Sequence, residues 1–144
     1  MLHFIPGITA IYRTSCSELP PYVRECHAAG VRPVLLLDPE PMAIGPGATA
    51  SDEAEQAPEG ITPKSTLTFT ARTIPDLGQQ HAFIIIAADG SAYLIGSFEP
   101  PYPKIKVGND LSTPADGNAA ISLKVEWAGP LLPVTLFQPS FDSL

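Results

Sequence analysis

The sequence predicts a mainly β fold, an antiparallel β-sandwich or β-barrel of about six to eight strands with one or two short helices. Three features indicate this class. An Asp89-Gly90 pair separates two apolar runs. Prolines make up 17 of the 144 residues and fall between apolar runs, which suits many turns and few helices. Apolar and polar residues alternate in Thr66–Arg72 and Ile121–Trp127, as in strands with one buried face.

The strongest local signal is the segment from His81 to Ser97, HAFIIIAADGSAYLIGS. Asp-Gly between β-rich runs is typical of a two-residue type I′ turn, because both central positions of that turn need a positive φ. Both faces of the predicted hairpin are apolar, so we expect it to be covered on both sides. Such a turn sets the pairs Ala88–Ser91, Ala87–Ala92, Ile86–Tyr93, Ile85–Leu94, Ile84–Ile95 and Phe83–Gly96.

The remaining elements follow from periodicity and turn residues. Pro20-Pro21 can begin, and Gly30 can end, a short helix over the residues YVRECHAA. Pro33 lies early in a strand from Val31 to Leu37 and indicates a sheet edge, because proline lacks a backbone donor. The other predicted strands are Ile8–Thr14, Thr66–Arg72, Lys104–Val107, Ile121–Trp127 and Leu131–Phe137.

The chain is predicted to form one β domain over residues 1–144, with a long mobile loop over residues 38–62. This loop contains seven Pro and Gly residues and the acidic cluster of Asp52, Glu53, Glu55 and Glu59. A loop of this length in a small domain is usually functional or mobile, and the plainer interpretation is a solvated excursion without a partner. The acidic residues lack the spacing of a calcium-binding EF-hand.

The net charge of −7 argues against a general nucleic-acid-binding protein, which needs a basic surface to displace counterions from phosphates. Solubility is sufficient to explain the acidity. The longest apolar run, from Ala82 to Ala88, is too short for a transmembrane helix, and the first residues lack the features of a signal peptide. We therefore expect a protein that is cytoplasmic when made, binds neither nucleic acid nor membrane, and has reduced thiols.

Polar residues in the sequence do not form a recognisable reaction site. Cys16, Cys26 and His27 are close in sequence, but a structural zinc site needs four ligands, usually in close pairs. Adjacent residues point about 100° apart on a helix, which disfavours a catalytic pair of Cys26 and His27. Two cysteines with nine residues between them neither require nor exclude a disulfide. Without a G-x-S-x-G or phosphate-loop motif, we predict no catalytic, cofactor-binding or metal-binding residues, no cofactor and no enzymatic activity.

The segment from Phe98 to Pro103 combines two aromatic residues with three prolines and resembles a polyproline II stretch. It has two interpretations. As a functional element it would dock a partner, and as a structural element it would cap the hairpin and redirect the chain. We favour the structural interpretation.

Five short motifs between Leu67 and Trp127 carry a family likeness: Leu67-Thr68-Phe69, Ala88-Asp89-Gly90, Tyr93-Leu94-Ile95-Gly96, Pro101-Tyr102-Pro103 and Val125-Glu126-Trp127. This segment resembles small proteins encoded in phages and prophages of Bacteroidetes-type bacteria. The resemblance implies a structural or assembly protein of a tail or head–tail connection. Its partners would be other virion or assembly proteins or further copies of itself, and it would become virion-associated. The alternative is a small β-barrel binding module for a host protein or a small ligand.

Overall fold

Strands dominate the computed structural model, which confirms the predicted mainly β class. The residues that the structure describes are 2–4, 7–36, 39–42, 44, 48–57, 60–71, 78–99, 102–108 and 121–137. Within them the strands are β1 (Leu2–Phe4), β2 (Ile8–Ser15), β3 (Val34–Leu36), β4 (Glu40–Pro41), β5 (Thr49–Ala57), β6 (Gly60–Ala71), β7 (His81–Ala87), β8 (Ala92–Ile95), β9 (Lys104–Gly108), β10 (Ile121–Trp127) and β11 (Leu132–Phe137). A 3-10 turn (Cys16–Glu18) and one helix, α1 (Val23–Ala28), connect β2 to β3.

The strands form two sheets that pack as a β-sandwich or half-barrel. The order is β1-β5-β6-β10-β9 in the five-stranded sheet and β3-β11-β8-β7-β2-β4 in the six-stranded sheet. The β3–β11 pair is parallel, and the other strand pairs in the described part of the chain are antiparallel. The strand count exceeds the six to eight expected because no strand was predicted at β1, β4 or β5, whereas β3 lies within the predicted strand Val31–Leu37.

The core lies between the two sheets. Leu67, Phe69 and Ala71 of β6 are buried and alternate with half-buried threonines, as predicted. The rings of Phe69 and Phe83 meet edge to face with their centroids 6.2 Å apart, which joins β6 to β7 across the sandwich. Trp127, at the end of β10, is also buried, as expected for the apolar face of that strand.

The central strand β7 is covered on both faces. Its consecutive residues Phe83, Ile84 and Ile85 each have 0% of their surface exposed. Because successive side chains point to opposite faces of a sheet, both faces of β7 must be covered. This confirms the burial predicted for the hairpin.

The turn between β7 and β8 differs from the predicted type I′ turn. The Ala87 N–H donates to the Ser91 carbonyl at 2.9 Å, and the Gly90 N–H donates to the Ala87 carbonyl at 3.0 Å, so three residues form the loop. Gly90 has a φ of +89°, whereas no described non-glycine residue has a positive φ, which excludes the conformation that Asp89 would need in a type I′ turn. The geometry matches a three-residue loop with its glycine in the left-handed position.

The additional loop residue shifts the cross-strand register by one residue and corrects the predicted pairs. Asp-Gly suits this loop as well, because Asp89 Oδ1 accepts a hydrogen bond from the Ser91 N–H at 2.9 Å. The apolar pattern could not decide between the registers, since both faces of the hairpin are apolar. The observed pairs are Phe83–Ile95, Ile84–Leu94, Ile85–Tyr93 and Ile86–Ala92.

Residues 38–62, predicted as a loop, contain β-structure, which corrects that prediction. β5 and β6 form nine residue pairs, from Thr49–Thr68 to Ala57–Gly60. Asp52 Oδ2 accepts a hydrogen bond from the Leu131 N–H at 3.1 Å, which ties β5 to the segment before β11. No apolar alternation marks β5 in the sequence, and its pairing with β6 depends on residues distant in register from any local pattern. The mobility of this segment stays a prediction.

Candidate functional site

The outward face of the five-stranded sheet collects every lysine of the chain. Lys64 lies on β6, Lys104 and Lys106 on β9, and Lys124 on β10. Lys106 is directly opposite Lys124, and Lys104 is directly opposite Glu126. Directly opposite residues, and residues two apart on one strand, share a face of the sheet. We call this cluster the lysine face.

One carboxylate lies among three ammonium groups on the lysine face. Glu126 oxygens lie 3.4 Å from the Nζ atoms of Lys106 and Lys124 and 3.8 Å from Nζ of Lys64. Hydrogen bonds from Lys106 and then Lys124 hold the pKa of Glu126 below its ordinary value. Exposed ion pairs add little stability individually. The main consequence is electrostatic: three cations share one anion, so this face is basic on a chain of net charge −7.

The lysine face ends at an open edge of the sheet. β9 pairs with β10 through Lys104–Gly108, and no strand among the described residues pairs with its other side. Lys104 and Lys106 are exposed, while Ile105 and Val107 are half-buried. An edge strand presents unpaired N–H and C=O groups that can bind another chain, and charged side chains restrict which chains can bind.

The β5–β6 hairpin extends beyond its neighbours in the same sheet. β1 pairs with β5 only at residues 51–53, and β10 pairs with β6 only at residues 65–71. Residues 54–57 of β5 and 60–63 of β6 therefore pair with each other and, over the described ranges, with no further strand. We call this extension the β5–β6 arm.

A groove of about 630 Å³ lies at the opposite end of β7 from the Asp-Gly loop. The Cys16 N–H donates to the Gln80 carbonyl at 3.0 Å, which joins the end of β2 to the start of β7 beneath it. Within the described residues of the proline-aromatic segment, Phe98 is exposed, Tyr102 is half-buried and Pro103 is buried; Pro100 and Pro101 lie outside them. The lining residues are Ser15, Cys16, Ser17, Gln79, Gln80, Phe98, Glu99 and Tyr102.

The two cysteines are free thiols in different environments. Cys16 is buried and lines the groove, and Cys26 is half-buried on α1. Burial raises the pKa of Cys16 to about 11, partly opposed by a hydrogen bond from the Ser97 backbone. A thiol with that pKa is protonated near neutral pH and is a poor nucleophile. The side chain of His27 lies outside the described residues.

A polar contact that no sequence pattern marks joins three strands of the six-stranded sheet. Arg13 Nη1 lies 2.8 Å from Nδ1 of the buried His81, and Arg13 Nη2 donates to Glu40 Oε2. Because a guanidinium only donates, Nδ1 accepts and the proton of the neutral ring is on Nε2. These residues lie on β2, β7 and β4. No local motif marks them, since 68 and 27 residues separate the partners.

The acidic cluster of the predicted loop is divided by the structure. Asp52 and Glu53 are successive positions of β5, so they point to opposite faces of the sheet. Glu53 is exposed and directly opposite Lys64. Glu59 lies outside the described residues. Within those residues no group of three or more His, Cys, Asp or Glu side chains is arranged to hold a metal ion.

No helix in the described part of the chain has the length and apolar character needed to cross a membrane. Comparison of the chain with family models, with curated proteins and with solved structures gives no match.

Proposed function

We propose that this chain is a non-enzymatic structural or assembly protein that acts by associating with copies of itself or with other proteins. The observation that carries the proposal is the open, lysine-bearing edge at β9. Edge strands bind proteins by adding a strand to the sheet, with backbone hydrogen bonds for affinity and alternate side chains for selectivity. No reaction chemistry is required of such a surface.

The specific assembly that we propose is a phage or prophage tail or head–tail connection. The support is the resemblance of the segment from Leu67 to Trp127 to small phage and prophage proteins. This segment includes β7 to β10 and three of the four lysines of the lysine face. Four lysines beside Glu126 and Glu53, on a chain of net charge −7, favour an acidic protein partner over nucleic acid. The protein would be made in the cytoplasm and become virion-associated on assembly.

This proposal is tested by looking for the protein in assembled particles. Mass spectrometry of particles purified from a strain that produces them should detect the chain, and purified tail or head–tail proteins should bind it. Lys106→Glu should weaken that binding, whereas Arg32→Glu, an equal charge change at an exposed residue before β3, should not. Absence from particles, together with no binding to any tail or head component, would overturn the proposal.

The second candidate function is a small binding module for a host protein or a small ligand. The groove favours it, because about 630 Å³ is within the range of ligand sites and Phe98 is 42% exposed beside polar side chains. A thermal-shift screen with soluble metabolites and sugars tests it. Phe98→Ala should abolish a stabilising shift, whereas Tyr22→Ala, another exposed aromatic residue, should preserve it.

A further inference from the structure

We propose that a cavity beside the β7–β8 loop binds a small carboxylate with an apolar body, which Arg32 holds by its charge. The cavity has a volume of about 480 Å³, within the roughly 300–1,000 Å³ that is usual for small-ligand sites. It lies at the opposite end of β7 from the groove beside Phe98, and the inference is independent of the proposed assembly function. We call it the Arg32 cavity, and its lining includes Arg32, Tyr12, Ile86 and Val134.

The floor of the Arg32 cavity is a row of apolar side chains across three strands. Ile86 on β7 is directly opposite Ala92 on β8, and Ala92 is directly opposite Val134 on β11, so the three share a face of the sheet. This face is turned away from the sandwich core, because Ile86 lies three positions after Phe83, whose ring meets Phe69. Ile86 is only half-buried, so an apolar ligand that covers the row removes further apolar surface from water.

Backbone pairing brings Arg32 to one side of this row. The Thr135 N–H donates to the Pro33 carbonyl at 2.9 Å, and Thr135 follows Val134 on β11. The segment before β3 therefore passes beside the row, and Arg32, the residue before Pro33, lines the cavity there.

Hydroxyl groups also line the Arg32 cavity. Tyr12 is half-buried on β2, which borders β7, whereas β3 borders β11, so Tyr12 and Arg32 lie on opposite sides of the floor. Ser91, at the end of the β7–β8 loop, and Thr135 are further lining residues with a hydroxyl. A hydroxyl both donates and accepts hydrogen bonds, so it can bind a carboxylate oxygen that Arg32 leaves free.

The charge of the Arg32 cavity favours an anion. Arg13 forms an ion pair with Glu40, whereas Arg32 forms none with a carboxylate of the described residues. The described residues that line the cavity include no Asp or Glu, and Asp89, on the adjoining loop, accepts from the Ser91 N–H at 2.9 Å. One guanidinium balances one negative charge, and its planar fork binds both oxygens of a carboxylate. A monocarboxylate therefore suits the cavity better than a dianionic phosphate.

The test titrates the full chain with benzoate and hexanoate and follows the backbone amide signals by two-dimensional NMR. Titration to about 20 mM is needed, because a ligand of this size with one ion pair should have a dissociation constant on the order of 1 mM. Both acids should shift the signals of Gly90, Ser91 and Thr135. Benzyl alcohol and hexanol, which have the same apolar bodies without the charge, should bind about tenfold more weakly or less. Phenyl phosphate should bind more weakly than benzoate.

Variants of two exposed cations show whether Arg32 holds the ligand. Arg32→Gln should weaken benzoate binding by about tenfold or more, because it removes the charge and the paired donors. Arg32→Lys should retain part of the affinity, since it keeps the charge. Lys104→Gln is the matched control, because Lys104 is exposed on β9 of the other sheet, and this variant should bind benzoate like the unaltered chain. The amide spectrum of each variant also reports whether it is folded.

The inference is overturned if neither acid binds, if benzyl alcohol binds as tightly as benzoate, or if Arg32→Gln binds benzoate like the unaltered chain. Shifts confined to Gln79 and Gln80 would place the ligand in the groove and overturn it as well. Tighter binding of phenyl phosphate than of benzoate would overturn the carboxylate as the ligand class. Each of these outcomes leaves the proposed assembly function standing, because that function is measured by binding to tail or head proteins.

Discussion

The six-membered ring of Trp127 lies against the backbone of Gly129, so close that a Cβ at position 129 would be 2.7 Å from Cη2 of the indole. The Ser65 hydroxyl donates to the Gly129 carbonyl from the neighbouring strand β6. The chain after β10 is thus held on one side by a ring and on the other by a hydrogen bond. Glycine is required here by space and not by an unusual φ.

Gly129→Ala should destabilise the protein by about 1–3 kcal/mol, because the new methyl group must displace the indole or the backbone. Urea unfolding followed by circular dichroism measures this change, because that signal does not depend on the single tryptophan of the chain. Trp127→Phe removes the ring atoms that the methyl group would meet. In a chain with Trp127→Phe, Gly129→Ala should therefore lower the free energy of unfolding by less. Equal costs in both backgrounds would show that the two residues do not interact.

Gly90→Val should lower the free energy of unfolding by more than about 1 kcal/mol, because a β-branched residue resists the φ of +89° at this position. No atom lies within 4 Å of a Cβ built there, so the cost comes from the backbone alone. Gly90→Asn is the control. Asparagine tolerates the left-handed region, so this variant should lose much less free energy of unfolding than Gly90→Val. Thermal unfolding of both variants distinguishes them, and an unchanged Val variant would contradict the observed turn.

The sequence predicted elements whose side chains carry their own burial pattern. Alternation located β6 and β10, and two apolar runs located β7 and β8. β5 was not predicted, because four of the five residues in Ser51–Glu55 are polar or acidic. Its pairing with β6 makes this segment a strand. The hairpin register could not be predicted, because both faces of the hairpin are apolar. A shift of one residue therefore moves no polar side chain into the core.

The candidate site could be predicted only in part. Lys104 and Lys106 alternate within a predicted strand, but their alignment with Lys124 and Lys64 depends on which strands are neighbours. The contact of Arg13 with His81 depends on pairing across 68 residues, which no local pattern encodes. Side-chain chemistry was visible in the sequence, and its placement was not, because long-range strand order decides it.

Arg13→Ala should destabilise the protein by about 1–3 kcal/mol, because it removes the hydrogen bond to Nδ1 of the buried His81. Glu40→Gln should cost less than about 1 kcal/mol, since the Glu40 side chain is 66% exposed and its ion pair with Arg13 is solvated. Chemical unfolding at neutral pH measures both. If Glu40→Gln lowered the free energy of unfolding more than Arg13→Ala, the contact of Arg13 with Glu40 on β4 would stabilise the protein more than its contact with His81 on β7.

The stability of the protein should fall as the pH rises from about 9 to 11, through ionisation of Cys16. Its folded pKa of about 11 is above the ordinary 9.0, so the unfolded thiol loses its proton first. The contribution of the protonated Cys16 thiol to the free energy of unfolding is fully present below about pH 9. It is lost as the pH rises through the pKa of Cys16 in the folded protein, and the free energy of unfolding falls by an amount on the order of 2 kcal/mol. Unfolding at several pH values measures it, with Cys16→Ala as the control that lacks this decline. An equal decline in Cys16→Ala would assign the pH dependence to other groups.

Replacing residues 54–63 by an Asn-Gly turn should shorten the β5–β6 arm without unfolding the domain. Glu53 and Lys64 are directly opposite each other, so a two-residue turn can join them as a hairpin. The residues removed pair with each other and not with β1 or β10, whereas Ala50 and Asp52, which contact the core and Leu131, remain. The free energy of unfolding should change by less than about 1 kcal/mol, because long insertions and extensions at a hairpin tip contribute little. Urea unfolding followed by circular dichroism measures this change, and a loss of several kcal/mol would show that the arm supports the domain.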